Sequence, residues 1–267
     1  MKIFKDSVSC DLFSMDYFCF GSGSETLVIL PGLSVLNLMP MAALVASSYE
    51  IFSKDFTVYL FERRCDPPLE YTVSDMAMDT SEALQKLGLS GICLYGVSQG
   101  GMIAMKMCID EPELAKKLVL ASTASRVTPH GFRTVEKWVR LAEENKIREL
   151  FLTMGENIYP PEFFSKNRDA FRVAAGMAKP EDLKRFVILA RGMRDYDVTS
   201  ELHRIKCPVL LAGSADDSVT GAEAFETMAE HMKSSPVFRK IQYDGFGHAM
   251  YDTCPDFKPE MLRFLLE

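Results

Sequence analysis

The chain has 267 residues, of which 48% are hydrophobic and 25% charged, a balance typical of a globular protein with a large core. Its net charge of −7 argues against nucleic-acid binding, which needs a clustered positive surface. No apolar run is long enough to span a bilayer, and residues 1–10 lack the apolar stretch of a signal peptide. These features predict a cytoplasmic protein that binds neither nucleic acid nor membrane.

Cysteine and histidine spacing argues against a metal site. The seven cysteines form no Cys-x-x-Cys pair, which favours reduced thiols over disulfides or metal ligation. The four histidines stand far apart and show no zinc-binding spacing. We therefore predict that the protein binds no metal.

The first half of the chain alternates between strand and helix patterns. The predicted elements, in order, are strands Val8–Phe13, Met15–Phe20 and Thr26–Leu30, a helix over 41–52, strand Phe56–Phe61, a helix over 73–87, strand Gly91–Val97, a helix over 100–109 and strand Lys117–Ser122. Uninterrupted apolar runs such as Leu27–Leu30 are typical of strands that helices cover on both faces. The pattern predicts an α/β fold with a mostly parallel, doubly wound sheet and an antiparallel hairpin at one edge.

The alternation stops between residues 126 and 204, where helical periodicity replaces it. It then resumes with a strand over 207–211, a helix over 222–232, strand Val237–Tyr243 and a helix over 258–266. We therefore predict a core formed by residues 1–125 and 205–267, with a helical insertion at 126–204 before the last two strands.

The sharpest motif is Gly96-Val97-Ser98-Gln99-Gly100-Gly101, which follows an apolar strand and opens a helix. This is the context of a nucleophile elbow, where flanking glycines allow a sharp turn that lifts the serine above the sheet. The start of the helix supplies backbone N–H groups for developing negative charge. The motif predicts Ser98 as a nucleophile.

A serine hydroxyl needs a base, and the base needs a carboxylate to orient it. His248 lies in the loop after the last predicted strand, where ligands and catalytic groups gather in open α/β sheets. The loop after the strand at 207–211 offers two carboxylates, Asp216 and Asp217, one of which is expected to cap a turn. The chain order is nucleophile, acid, base.

These motifs resemble the α/β-hydrolase superfamily in its lid-bearing branch, from Leu27 to the C-terminus. The resemblance implies that Asp216, three residues after Gly213, is the acid, and that the helical insertion is a lid. It also implies an oxyanion hole formed by the backbone N–H groups of Gln99 and Leu33. Proline at position 31 replaces the histidine that often braces this loop in relatives.

A further motif resembles the family's Asp-x-Arg-Gly-x-Gly. This chain has Glu62-Arg63-Arg64-Cys65-Asp66 there, so that Glu62 and Arg64 match in kind while Cys65 replaces a glycine. The departure bears on the conformation of this loop. It affects catalysis only indirectly.

The predicted activity is hydrolysis of a small to medium, mostly apolar carboxylic ester or lactone through an acyl-enzyme, with no cofactor. We expect Trp138, Phe151, Met154 and Phe163 in the insertion to contact this small-molecule substrate. A carbon–carbon-bond hydrolase or a cofactor-free haloperoxidase could use the same three residues. A non-catalytic ligand-binding protein is the alternative from another class. The sequence leaves the oligomeric state open.

Overall fold

The structure is a computed structural model that describes residues 1–233 and 235–267. Its centre is one sheet with strand order β1-β2-β4-β3-β5-β6-β7-β8. The strands are β1 (Ile3–Ser9), β2 (Ser14–Gly21), β3 (Glu25–Leu30), β4 (Phe56–Phe61), β5 (Ile92–Val97), β6 (Ala115–Ala121), β7 (Val209–Ser214) and β8 (Phe238–Tyr243). Strands β1 and β2 are antiparallel to their neighbours, and every pairing from β4 to β8 is parallel. The predicted α/β class with a mostly parallel sheet is confirmed.

The predicted position of the first strand was wrong. Strand β1 spans Ile3–Ser9 and not Val8–Phe13, and the Cys10 N–H donates to the Phe13 carbonyl at 2.9 Å in the turn that follows. Most β1 side chains are exposed because it is an edge strand, so it lacks the apolar alternation of a half-buried strand. Leu12, which favoured the later position, is 88% exposed in the turn.

Helices cover both faces of the sheet. They are α1 (Ala42–Ser48), α2 (Val73–Lys86), α3 (Gln99–Asp110), α4 (Pro129–Glu143), α5 (Ile147–Ile158), α6 (Pro161–Ala175), α7 (Pro180–Arg191), α8 (Ala222–His231), α9 (Met250–Thr253) and α10 (Phe257–Leu266). Three short 3-10 helices occupy Met39–Met41, Glu50–Phe52 and Thr199–Arg204. The helix predicted over 41–52 is therefore α1 followed by a 3-10 turn.

Strand β3 explains why the central strands carry unbroken apolar runs. Leu27 and Ile29 belong to the core on one face of the sheet, whereas Val28 and Leu30 belong to the core on the other. All four side chains are almost fully buried, as expected for a strand between two helical layers. Burial on both faces fixes the strand's position at the centre of the molecule.

Four helices, α4 to α7, lie between β6 and β7, and we call residues 126–204 the helical insert. Helices α4, α6 and α7 each begin with a proline, the residue whose missing N–H is tolerated in the first turn. The insert has its own apolar core, which includes Trp138, Leu150 and Phe186. Val219, from the loop after β7, joins this core and connects it to the main body.

Two further features concern the chain as a whole. No helix in the described ranges is both long and apolar enough to cross a membrane.

All seven cysteines carry free thiols, and four of them, including Cys93 and Cys207, are buried.

Candidate functional site

The site lies where the parallel strands end. Strands β3, β5, β7 and β8 run in the same direction, so the loops that follow them meet at one edge of the sheet. These four loops carry Leu33, Ser98, Asp217 and His248, respectively. Loops at the carboxyl ends of parallel strands are the usual location of ligand sites in open α/β sheets.

Ser98 occupies the sharp turn between β5 and α3. Its backbone has φ 52° and ψ −120°, a conformation that L-residues rarely adopt. The turn requires glycines around it: a Cβ atom on Gly96 would lie 2.5 Å from the Gly100 carbonyl oxygen, and one on Gly100 would lie 2.0 Å from that of Leu30. The predicted elbow motif therefore forms an actual elbow, with the Ser98 side chain partly exposed above it.

His248 contacts the serine directly. Its Nε2 atom lies 3.0 Å from the Ser98 Oγ atom, within hydrogen-bonding distance. The imidazole is only 3% exposed and sits in the loop between β8 and α9. The structure thus brings together the two residues that the sequence singled out as nucleophile and base.

Asp217 is the carboxylate that orients the imidazole. Its Oδ2 atom lies 2.8 Å from His248 Nδ1, and it also accepts a hydrogen bond from the Thr220 hydroxyl at 2.7 Å. The other oxygen accepts from the Val219 and Thr220 N–H groups at 2.8 and 3.0 Å. An ionised carboxylate only accepts, so Nδ1 carries the proton and Nε2 is free to accept from Ser98.

Charge and hydrogen bonding keep this carboxylate ionised. Burial alone would raise the pKa of Asp217, but the charge that His248 carries when protonated and the hydrogen bonds from His248 and Thr220 outweigh burial and lower it to about 2. A buried aspartate that stays charged is the group needed to stabilise an imidazolium.

The prediction of Asp216 as the partner of His248 is corrected by this geometry. Asp216 accepts hydrogen bonds from the Ser214 hydroxyl at 2.5 Å and from the Gly245 and Gly247 N–H groups at 3.0 and 3.2 Å. It therefore fixes the loop that carries His248 without touching the imidazole. Both aspartates lie in the turn after β7, and spacing from Gly213 could not decide which side chain this turn presents to the histidine.

The loop after β3 passes beside the nucleophile. A Cβ atom on Gly32 would lie 3.2 Å from Ser98 Cβ, so the peptide that carries the Leu33 N–H adjoins the serine. Within the described part of the chain, neither the Leu33 nor the Gln99 backbone N–H donates a hydrogen bond. Both groups are available to a negatively charged oxygen on a substrate bound at Ser98.

Arg63 links the loop after β3 to the first turn of α3, a role that the sequence did not reveal. One guanidinium nitrogen, Nη2, donates to the Pro31 carbonyl at 2.6 Å and lies 3.4 Å from the Gln99 Oε1 atom. The Gln99 amide in turn donates to the Leu189 carbonyl on α7 at 2.8 Å. Burial lowers the pKa of Arg63 to about 10, and Glu62 opposes this shift, so the side chain stays charged at neutral pH.

Arg64, which matches the family motif in kind, faces away from the site. Its guanidinium lies 3.4 Å from Asp79 and contacts the Leu12 carbonyl at 3.3 Å. The neighbouring Glu62 is buried, accepts from the Leu38 N–H at 2.6 Å and forms an ion pair with Arg185 on α7. Glu62 and Arg63 are both buried, and motif spacing alone could not show which charged residues of this loop face inward.

The helical insert also contacts the loops that carry the other site residues. The Ile158 carbonyl at the end of α5 accepts from the Ala249 N–H at 2.8 Å, next to His248. The neighbouring Asn157 carbonyl accepts from the Ser218 hydroxyl at 2.7 Å, next to Asp217. The insert is therefore fastened to the loops on both sides of the imidazole.

An open pocket extends from Ser98 between the core and the insert. Its empty space, which includes open solvent at its mouth, is about 680 Å³. Its wall is mostly apolar and includes Leu33, Met102, Val127, Val135, Trp138 and Met193. A small to medium ligand with an apolar body fits this lining.

Only one of the four predicted substrate contacts lines the pocket. Trp138 does, with its indole N–H donating to Asn157 Oδ1 at 3.1 Å. Phe151 and Met154 pack in or against the insert's own core, and Phe163 stacks on Tyr159 with ring centroids 4.7 Å apart. These three residues therefore do not line the pocket, because helical periodicity marks the buried face of a helix and does not show what that face contacts.

The other histidines lie outside the site. His130, His203 and His231 each bond to a backbone carbonyl, at 2.6, 2.8 and 2.9 Å respectively. Among the described residues, no cluster of three or more His, Cys, Asp or Glu side chains could hold a metal ion.

Comparison with known proteins finds similarity along nearly the whole chain. A curated relative from Caulobacter segnis, named "Putative carbamate hydrolase RutD", is 24% identical over 248 residues, which cover 91% of this chain and 92% of the relative. The crystal structure of MGS-M2, an α/β-hydrolase enzyme from a Medee basin deep-sea metagenome library, is 20% identical with a TM-score of 0.86 and 98% of each chain covered. The esterase EaEST from Exiguobacterium antarcticum is 21% identical with a TM-score of 0.82, over 99% of this chain and 100% of the esterase.

The family match classifies the chain. The family model described as serine aminopeptidase, S33 (Hydrolase_4), matches residues 67–252, which include the elbow, the helical insert and the loops that carry Asp217 and His248. Together with the sheet topology and the fold of the solved neighbours, this match establishes that the chain belongs to the serine aminopeptidase S33 family of α/β-hydrolases.

Proposed function

We propose that this chain is a serine hydrolase that cleaves small to medium, mostly apolar carboxylic esters or lactones. The observation that carries the proposal is the continuous line of contacts from Asp217 through His248 to Ser98, at 2.8 and 3.0 Å. Such a line is what a hydroxyl needs to become a nucleophile at neutral pH. It also argues against a non-catalytic binding protein, which needs no activated serine.

The first half-reaction forms an acyl-enzyme. Ser98 Oγ attacks the substrate carbonyl carbon while its proton moves to His248 Nε2, and Asp217 stabilises the resulting imidazolium. The Leu33 and Gln99 N–H groups bind the oxyanion of the tetrahedral intermediate. As the intermediate collapses, His248 gives its proton to the leaving alcohol or, in a lactone, to the ring oxygen.

The second half-reaction releases the acid. His248 Nε2 takes a proton from a water molecule, whose oxygen attacks the acyl carbon attached to Ser98. The second tetrahedral intermediate occupies the same oxyanion hole and expels the serine oxygen, which regains its proton from the imidazolium. No group beyond these side chains and N–H donors takes part.

The helical insert serves as the lid in this proposal. It roofs the pocket at Ser98 with Trp138, Val135 and Met193, while residues 1–125 and 205–267 form the catalytic core. Closing an apolar roof over the reacting carbonyl excludes bulk water and strengthens the oxyanion contacts.

A carbamate is the second candidate substrate class. The observation that favours it is the name of the curated relatives, of which the one from Caulobacter segnis covers 91% of this chain. A carbamate carbonyl would occupy the same position between Ser98 and the oxyanion donors. Carbon–carbon-bond cleavage and cofactor-free haloperoxidase chemistry would use the same three residues and are the other candidate reactions.

Covalent labelling tests the proposal. A fluorophosphonate should add once to the wild-type chain and not to Ser98→Ala, as read from intact mass. Esters of graded acyl length, a lactone and a phenyl carbamate then rank the substrate classes by kcat/KM. The absence of an adduct on a folded wild-type protein would overturn the serine hydrolase assignment.

A further inference from the structure

The pocket that begins at Ser98 carries an excess of positive charge on its wall. The charged residues that line it are Arg126, Arg191, Arg194 and Glu136, three cations and one anion. The whole chain has a net charge of −7, whereas cations outnumber anions among the side chains that line this pocket. An excess of positive charge inside a largely apolar cleft concentrates anionic ligands.

Backbone pairing brings the two ends of the insert, which carry these arginines, next to each other. Arg126 forms an isolated antiparallel bridge with Asp197, and the Val127 N–H donates to the Tyr196 carbonyl at 3.1 Å. This pairing joins the start of the insert to the segment after α7. Because Arg191 ends α7 and Arg194 follows it closely, all three arginines belong to the two ends of the insert.

The present partners of the arginines leave most of their donors free. Arg126 meets Glu223 at 3.1 Å, Arg191 meets Glu143 at 2.5 Å, and Arg194 lies 3.6 Å from Glu136.

The Arg194 contact is too long for a hydrogen bond. All six side chains are between about one-third and three-quarters exposed, and exposed pairs of this kind contribute little free energy. A guanidinium has five N–H donors, so a substrate group could bind without breaking a strong contact.

We propose that the substrate of this site carries a carboxylate at the end of its acyl chain opposite the ester or lactone carbonyl, and that Arg126, Arg191 and Arg194 bind it. The apolar side chains that line the same pocket take the methylene chain. Guanidinium and carboxylate match in planar geometry, which favours arginine for this recognition. The inference rests on the proposed hydrolase function and narrows its substrate class.

A matched pair of esters tests the inference. Monomethyl adipate has one carboxylate and one ester, whereas dimethyl adipate has the same chain and no charge. At low ionic strength we expect kcat/KM for the monoester to exceed that for the diester by at least about tenfold, and added salt to reduce the difference. Equal or faster hydrolysis of the diester would overturn the inference.

Variants identify the residues responsible. Arg194→Met, Arg191→Met and Arg126→Met should each lower kcat/KM for the monoester by about tenfold and for the diester by less. Glu136→Gln, which removes the carboxylate from the pocket wall, should raise kcat/KM for the monoester. Arg148→Met, on the exposed side of α5 and away from the pocket, is the matched control and should change neither. Equal losses of kcat/KM for the two esters in the arginine variants would contradict the assignment of these arginines to carboxylate binding.

Binding separates this inference from the hydrolase proposal. Ser98→Ala cannot turn over, so calorimetry with monomethyl adipate measures affinity alone. Tighter binding of the monoester than of the diester, weakened by Arg194→Met, would support the carboxylate site even if no ester is hydrolysed. Indistinguishable binding of the two esters would overturn the carboxylate site and leave a positive fluorophosphonate result unaffected.

Discussion

Asp216 and Asp217 are adjacent in the chain but differ in what they contact. Asp217 bonds to the His248 imidazole, and Asp216 bonds to two N–H groups of the loop that carries the histidine. We expect Asp217→Asn to lower kcat by about 10⁴-fold, because the amide no longer holds the correct tautomer or stabilises the imidazolium. Asp216→Asn should lower kcat by less than about a hundredfold, through small displacements of the loop.

Steady-state kinetics on an activated ester measure both changes. Comparable melting temperatures for the two variants are the control for folding. A larger loss in Asp216→Asn than in Asp217→Asn would contradict the assignment of the acid.

Asp217 also predicts how stability depends on pH. Its pKa in the folded chain is about 2, below the ordinary value of 3.8. A carboxyl whose pKa is depressed by folding stabilises the fold fully above its unfolded pKa, and this contribution disappears as the pH falls through the folded pKa. From about pH 4 to pH 2, the free energy of unfolding of the wild type should fall by about 2 kcal/mol more than that of Asp217→Asn.

Urea unfolding at several pH values in this window measures the difference. Ser98→Ala keeps the contact between Asp217 and His248 and should follow the wild type. If the free energy of unfolding falls equally with pH in the wild type and in Asp217→Asn, ionisation of this carboxyl does not stabilise the fold.

Among the elements, the loop after β3 and the first turn of α3 depend on Arg63. Its guanidinium touches the Pro31 carbonyl and the Gln99 side chain, so one residue contacts both segments that carry the proposed oxyanion donors. We expect Arg63→Met to lower kcat about a hundredfold with little change in KM, because the transition-state oxyanion depends most on donor position. Arg64→Met is the matched control and should leave kcat within about twofold of the wild type, since Arg64 faces Asp79.

A boronic acid that mimics the tetrahedral intermediate gives an independent readout. Its affinity should fall in Arg63→Met in parallel with kcat and recover in part in Arg63→Lys, which can still donate to the Pro31 carbonyl. A change in melting temperature with unchanged kcat and boronate affinity would reduce Arg63 to a structural role.

The elements that could be predicted were those whose pattern is local. Leu27–Leu30 and the glycine-rich turn at Ser98 indicated buried strands and an elbow, because both signals lie within a few adjacent residues. The edge strand β1 was misplaced, since its register comes from pairing with β2. Which of Asp216 and Asp217 faces His248, and whether Arg63 or Arg64 turns inward, depend on contacts between residues distant in the chain. Residue type and spacing do not record such contacts.

For the molecule as a whole, the ion pair between Glu62 and Arg185 joins the core to the helical insert. Their side chains are only 5% and 14% exposed, so removing one partner leaves a buried, unpaired charge. We expect Arg185→Met to lower the free energy of unfolding by about 3 kcal/mol. The double replacement Glu62→Gln with Arg185→Met should cost less than the sum of the two single ones.

Thermal and urea unfolding of the four proteins in this cycle measure the coupling. Arg172→Met, which removes an exposed pair with Asp169 on α6, is the control and should cost less than about 1 kcal/mol. Additive effects of the two single replacements would show that the pair does not couple insert and core.

The backbone at Ser98 has a consequence for how this chain could evolve. A serine held at φ 52° is strained by about 1–3 kcal/mol, and glycine adopts that angle freely. Ser98→Gly should therefore melt at a higher temperature than Ser98→Ala, which keeps the strain, although both lack the nucleophile. If calorimetry bears this out, selection for thermal tolerance alone would favour loss of the nucleophile, and only continued demand for the reaction would keep serine at this position.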